Sequence, residues 1–229
     1  MKGWLFLMAG LASAVWVAAP ASALPRWQQL PNTPLTTLLF LAVAVTSSRG
    51  VPTSYKYSIV LGLAFSALGD AFLMPVRDHF VAGLASFLVA HLCYFWSFTR
   101  DSRLAARRWP FVAWGGWGLL LVLWLWPGVA GPLRFPVVLY AAALTTMAAQ
   151  AASRAVSRRE LSALLAALGA GFFVVSDSVL AYQRFYHPVG SGHIIVLGTY
   201  FVAQAGIALS VLLYRGPTRR DERSPVDRR

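Results

Sequence analysis

Residues 61 to 74 read LGLAFSALGDAFLM, thirteen uncharged residues around one aspartate, Asp70. The stretch is too apolar for a surface in water, and it carries a charge that hydrocarbon rejects. Such a stretch belongs to a membrane span in which the carboxyl has a task. The rest of the chain bears out the first half of that reading. Of 229 residues, 58% are hydrophobic and 12% charged, and the mean hydropathy is +0.60. These values depart from a soluble domain in both directions.

Apolar runs near the roughly 20 residues needed to cross a bilayer core fall at 4–24, 33–48, 55–74, 79–99, 110–127, 134–152, 160–182 and 193–214. The runs are continuous and do not alternate residue by residue, so helices fit them and barrel strands do not. The expected fold is all-α: a polytopic membrane protein of eight transmembrane helices. Residues 1–214 form one helical domain and 215–229 a basic cytoplasmic tail without fixed structure. The first run ends in Ala21-Ser22-Ala23, as a cleaved signal peptide does. Its length suits a span, and it is read as retained.

The net charge of +12 reflects topology and not nucleic-acid binding. With the N-terminus inside, sixteen of the 20 lysines and arginines lie on one face, the six tail arginines included. The other face receives only Arg26, Arg77, Arg134 and Arg184. That bias places both termini in the cytoplasm, and the expected location is a bacterial inner membrane. Cys93 is the only cysteine, which excludes an internal disulfide and a thiolate metal cluster.

Leu61, Gly62, Phe65 and Asp70 recur as Leu168, Gly169, Phe172 and Asp177, each 107 residues later. Four spans separate the copies, so both run the same way through the bilayer. The pattern points to a 4+4 parallel repeat about the membrane normal.

Of eight acidic residues only Asp70 and Asp177 lie within spans, and an intramembrane carboxylate is costly unless paired, hydrated or protonated. The third and seventh spans both run from inside to outside. Their aspartates are expected at a common depth, roughly 6 to 10 Å below the outer helix ends at 1.5 Å per residue. Ser66 lies one turn before Asp70, Ser176 and Ser178 flank Asp177, and Tyr200 and Gln204 form an i, i+4 pair on the last span. His91 lies deeper, with Tyr94 one turn along. His79, His187 and His193 near the outer face have no known ligand spacing, so no metal and no other cofactor is expected. There is no HExxH, no G-x-S-x-G and no phosphate-cradling glycine loop.

FSALGDAFLM at 65–74, GLASFLVAHLCYFWSF at 83–98, GAGFFVVSDSVLAYQRF at 169–185 and TYFVAQ at 199–204 together resemble the YhhN-like membrane proteins, the lysoplasmalogenase family. The resemblance covers the third, fourth, seventh and eighth spans by motif and the others by hydropathy. It implies a hydrolase of the vinyl ether of lysoplasmalogens, with a lysophospholipid as substrate and the bilayer as surroundings. It also implies that the family's two motif aspartates fall on Asp70 and Asp177, and its other polar positions on His91, Tyr200 and Gln204. With Ser66 and Ser176 these three make up the expected substrate-binding set. An enol ether is hydrolysed by protonating its β-carbon, and water then captures the oxocarbenium ion. One neutral and one ionised carboxyl are needed, much as in glycosidases. A close carboxyl pair can hold one proton between them, and the residues do not fix which aspartate is acid and which is base. The rival reading is a proton-coupled transporter or channel using the same aspartates.

Overall fold

The computed structural model describes residues 10, 32–47, 50–74, 79–187, 189, 190 and 192–214. The expected first span and the basic tail lie outside the described residues, apart from Gly10. Seven α-helices follow in order: α1 (Asn32–Thr46), α2 (Thr53–Phe72), α3 (Phe80–Phe98), α4 (Trp109–Leu125), α5 (Gly131–Arg158), α6 (Leu161–Phe185) and α7 (Gly192–Leu212). A single 3₁₀ turn, Trp126–Gly128, follows α4. There is no strand among the described residues. The chain is a helical membrane protein, and α3 to α7 are each long and apolar enough, α4 with its 3₁₀ turn, to cross a bilayer.

Six helices close into a ring. α1 packs on α2, α2 on α3, α3 on α5, α5 on α6, α6 on α7, and α7 returns to α1, while α2 also touches α7. α4 stands outside the ring against α5 and α6. Its outward face carries Val112, Leu119 and Leu123, all exposed, a surface suited to lipid and not to water.

Helices in hydrocarbon gain little from the hydrophobic effect on meeting one another, so close packing must hold them together. The α6 and α7 contact shows how. A Cβ on Gly169 would lie 2.7 Å from the Ala203 carbonyl oxygen, and one on Gly206 would lie 2.8 Å from that of Leu165. Each glycine therefore admits the opposite backbone, and any side chain at either position would drive the two helices apart.

The two ends of the bundle differ. At the end holding the 99–108 loop, α5 runs six residues past its expected limit and carries Arg154 and Arg158. Arg154 is fully buried and donates from Nε and NH2 to the two oxygens of Asp101, both at 2.7 Å. Arg158 donates to Glu160 at 2.8 Å and to the Asp101 carbonyl at 2.8 Å. Gln150 accepts from the Ala105 backbone N–H at 3.0 Å, and Ser153 from that of Arg107 at 2.9 Å. The loop is thus tied to α5 by its own backbone. The opposite end, where α2 and α6 finish and α3, α5 and α7 begin, carries only Arg134 and Arg184 as cations among the described residues.

Candidate functional site

Both intramembrane aspartates face the ring interior near this second end. They line one cavity of about 380 Å³, together with Thr33, Arg184, His193 and Tyr200. Asp70 sits two residues before the end of α2. That is closer to the helix end than a depth of 6 to 10 Å implies, because α2 stops at Phe72. Met74 precedes Pro75, a position that disfavours helix. Asp177 is about two turns from the end of α6.

Asp70 is buried, and its Oδ2 accepts two hydrogen bonds, from the Thr37 hydroxyl at 2.6 Å and the Tyr200 hydroxyl at 2.8 Å. Thr37 belongs to α1 and Tyr200 to α7, so the carboxyl ties three helices together. The Tyr200 oxygen accepts in turn from Gln204 Nε2 at 2.8 Å, as the i, i+4 spacing allows. Tyr94 donates to Gln204 Oε1 at 3.2 Å, and its oxygen lies 3.1 Å from the Ser66 hydroxyl. Since the Tyr94 proton is committed to Gln204, Ser66 is the donor of that last pair. All donors in this chain from Ser66 to Asp70 point the same way.

Asp177 stands in a second network. Its Oδ2 accepts a short hydrogen bond from the Tyr140 hydroxyl on α5. His91 Nε2 on α3 is 3.0 Å from the Tyr140 oxygen and 3.5 Å from Asp177 Oδ2. The Tyr140 proton goes to Asp177, so His91 Nε2 is the donor to Tyr140 and carries a hydrogen. The imidazole is fully buried and lies edge-on to Phe173, ring centres 4.8 Å apart. Its Nδ1 is buried without a hydrogen-bond partner.

The expected site residues thus separate by position. Asp70, Asp177, Tyr200 and Ser176 line the cavity, and Ser176 donates its hydroxyl to the Val196 carbonyl at 3.0 Å. His91, Gln204 and Ser66 stand behind the wall and act on it through tyrosines. His91 belongs to the Asp177 network, apart from Tyr200 and Gln204. Two members escaped sequence reading, Thr37 and Tyr140. The Thr36-Thr37 pair was a signal, since two threonines in an apolar span need partners. Tyr140 reads as an ordinary interfacial aromatic. Among the described residues no three histidine, cysteine, aspartate or glutamate side chains gather as a metal site.

Below the two networks the ring closes. Tyr55, Ile59, Phe98 and Ile207 are all fully buried there, and the Tyr55 hydroxyl is spent on Ser210 at 2.8 Å.

A second, smaller cavity of about 70 Å³ adjoins the first, and Leu73, Phe87, Asp177 and Leu180 belong to both walls.

The YhhN family model matches residues 28–211. Human lysoplasmalogenase TMEM86A is 36% identical over 163 residues, 69% of this chain and 67% of that protein. Its Bos taurus counterpart is 34% identical, again over 69% of this chain and 67% of that protein. A Mycobacterium bovis lysoplasmalogenase is 31% identical over 81% of this chain and 72% of its own length. No solved structure matches the chain.

Proposed function

The chain belongs to the YhhN family, and from that premise we propose that it is a lysoplasmalogenase, hydrolysing the vinyl ether of an alkenyl lysophospholipid to a fatty aldehyde and a glycerophospho-alcohol. The observation that carries the reading is the pair of carboxyls on one cavity. Hydrolysis of an enol ether needs two carboxyls facing one substrate-sized cavity.

Asp70 and Asp177 act as acid and base. The neutral carboxyl gives its proton to the β-carbon of the enol ether, and the double-bond electrons form the new C–H bond. The oxocarbenium ion left at the α-carbon takes up water, whose proton goes to the ionised carboxyl. The resulting hemiacetal loses the glycerol oxygen as an alcohol and becomes the aldehyde. One water is consumed, and the proton returns between the two carboxyls across the cavity they share. Tyr200 and Tyr140 aim the carboxyls, with Gln204 and His91 aiming the tyrosines. Ser66 supports this arrangement from behind, and Ser176 fixes α6 against α7 at the cavity wall. Arg184 at the mouth faces the phosphate.

We further propose eight spans, with residues 4–24 as the first, in a parallel 4+4 repeat whose two copies carry Asp70 and Asp177. The termini and the 215–229 tail are cytoplasmic, and the cavity opens to the outer leaflet of a bacterial inner membrane.

The deciding experiment measures aldehyde release from a lysoplasmalogen by the purified protein, in parallel with ion flux in proteoliposomes. Aldehyde release without flux is the expected result. Flux without aldehyde overturns the reading in favour of transport.

A further inference from the structure

Two cavities of opposite character meet at Asp177. The larger holds the polar lining: Asp70, Arg184, His193 and Tyr200. The smaller is walled mainly by Leu84 of α3, Leu121 of α4, and Val137 and Leu144 of α5. Its polar members are Tyr140, Asp177 and Ser178. Tyr140 and Asp177 are bonded to each other, and Ser178 donates to the Val174 carbonyl at 2.7 Å. The wall therefore offers mainly carbon.

Between the two chambers stands a collar of Leu73, Phe87 and Leu180. Phe87 is fixed there by edge-on contacts to Phe173 and Tyr200, with ring centres 6.0 Å away in both cases. Gly69, immediately before Asp70, makes its place: a Cβ at that position would come within 2.6 Å of the Phe87 ring. The small chamber lies between α3 and α4, which both line it yet share no extended contact, since α4 packs on α5 and α6. One wall of the chamber is α4, the helix that stands outside the ring.

We infer that this slot between α3 and α4 is the binding site for the alkenyl chain, which passes the Phe87 collar beside Asp177 and leaves sideways into the bilayer. The inference rests on the reading of the protein as a lysoplasmalogenase and adds the orientation of the substrate. In such a lipid the reacting bond is the boundary between polar head and apolar chain. Among the described residues a polar chamber with two carboxyls gives way to an apolar one at Asp177. Head in the large chamber and chain in the slot put the vinyl ether at the carboxyls without burying the phosphate in carbon. The competing route is the outer groove of about 600 Å³ lined by Trp117, Trp124, Val179 and Tyr182. It includes neither aspartate.

Chain-length selectivity tests the assignment. Ala141 and Ala181 line the slot, and Ala141→Phe and Ala181→Phe narrow it, while Val179→Phe fills the outer groove. For the purified full-length protein, KM for a long-chain lysoplasmalogen rises by about tenfold or more in the slot variants, from the loss of a few buried methylenes. A short-chain substrate is affected much less, and Val179→Phe leaves both unchanged. Ala141→Val, a smaller step, keeps the test open if a phenylalanine prevents folding, and it moves the long-to-short ratio in the same direction. An unchanged ratio in folded slot variants overturns the inference, as does a shift produced by Val179→Phe instead. Binding of a saturated alkyl-ether lysophospholipid, long against short, is measured on the same proteins. Loss of long-chain binding in the slot variants sustains the chain site even if no vinyl ether is cleaved, so the two readings fail separately.

Discussion

Asp70 and Asp177 stand at matching places in a sequence pattern repeated 107 residues apart, and each accepts a hydrogen bond from a tyrosine on a neighbouring helix. Behind the tyrosines the two sites part company. Tyr200 receives its hydrogen bond from an amide, Gln204, and Asp70 has a second donor in Thr37. Tyr140 receives its own from an imidazole, His91, whose Nε2 also lies 3.5 Å from Asp177 Oδ2. One carboxyl is therefore held by a tyrosine and a threonine, and the other by a tyrosine backed by an imidazole. Similar spacing in sequence has given two sites with different partners.

The comparison breaks first at the carboxyls themselves. Asp70→Asn and Asp177→Asn keep the shape and remove the titration, so each alone lowers aldehyde release by about 10²- to 10⁴-fold, the usual contribution of a general acid or base. The two act as a unit, and the double variant is little worse than either single one. Near-normal turnover in either variant, with folding verified by thermal melting in detergent, removes that aspartate from the chemistry.

The next largest effect separates the tyrosines. Tyr140→Phe leaves Asp177 without its hydroxyl donor and His91 Nε2 without its acceptor. A hydrogen bond to a charged group contributes about 1.5–3 kcal/mol, so kcat falls by roughly 10- to 100-fold with little change in KM. Tyr200→Phe is milder, because Thr37 still donates to Asp70 at 2.6 Å. Adding Thr37→Ala to Tyr200→Phe brings the loss up to that of Tyr140→Phe. Equal losses in the two single tyrosine variants contradict this account of the donors.

His91→Gln gives the Asp177 site the same kind of backing as Asp70. The side-chain amide still offers a donor to Tyr140, so substrate affinity is retained and kcat falls by about tenfold or less, within what one hydrogen bond supplies. A kcat identical to that of the parent protein shows that His91 does not act on Asp177 through Tyr140.

The carboxyls were legible in the sequence because a charge inside an apolar span has few innocent explanations. Their common cavity was legible from the direction of the spans, and Tyr200 with Gln204 from helical periodicity. Thr37 and Tyr140 were not. A threonine in an apolar helix can satisfy itself on the preceding turn, and Thr37 also lies 3.2 Å from the Thr33 carbonyl. A tyrosine near a span end is ordinarily an interfacial anchor. What makes them partners of the aspartates is the closure of α1 onto α7 and of α5 between α3 and α6, contacts between helices far apart in the chain that no local pattern encodes. The exterior place of α4 was equally hidden, because its uniform hydrophobicity suits a core helix and a lipid-facing one alike.

The smallest effect lies at the far end of the Asp70 chain and decides how far that site extends. Ser66 is fully buried and meets Tyr94 at 3.1 Å, without lining either cavity that holds an aspartate. Sequence reading counts it among substrate contacts because it sits one turn from Asp70. In the folded chain Tyr94 and Gln204 intervene between it and the carboxyl network. Ser66→Ala removes a donor to an oxygen that keeps its own donation to Gln204, so no buried hydrogen is stranded. The cost is about 1 kcal/mol of stability, the net worth of one neutral hydrogen bond, seen as a lower melting temperature in detergent, with kcat and KM unchanged. The weak result is informative because Ser176, counted with Ser66 in the sequence, does line the cavity. A raised KM in Ser66→Ala would show that substrate reaches past Tyr200 and that the Asp70 site is deeper than its lining implies.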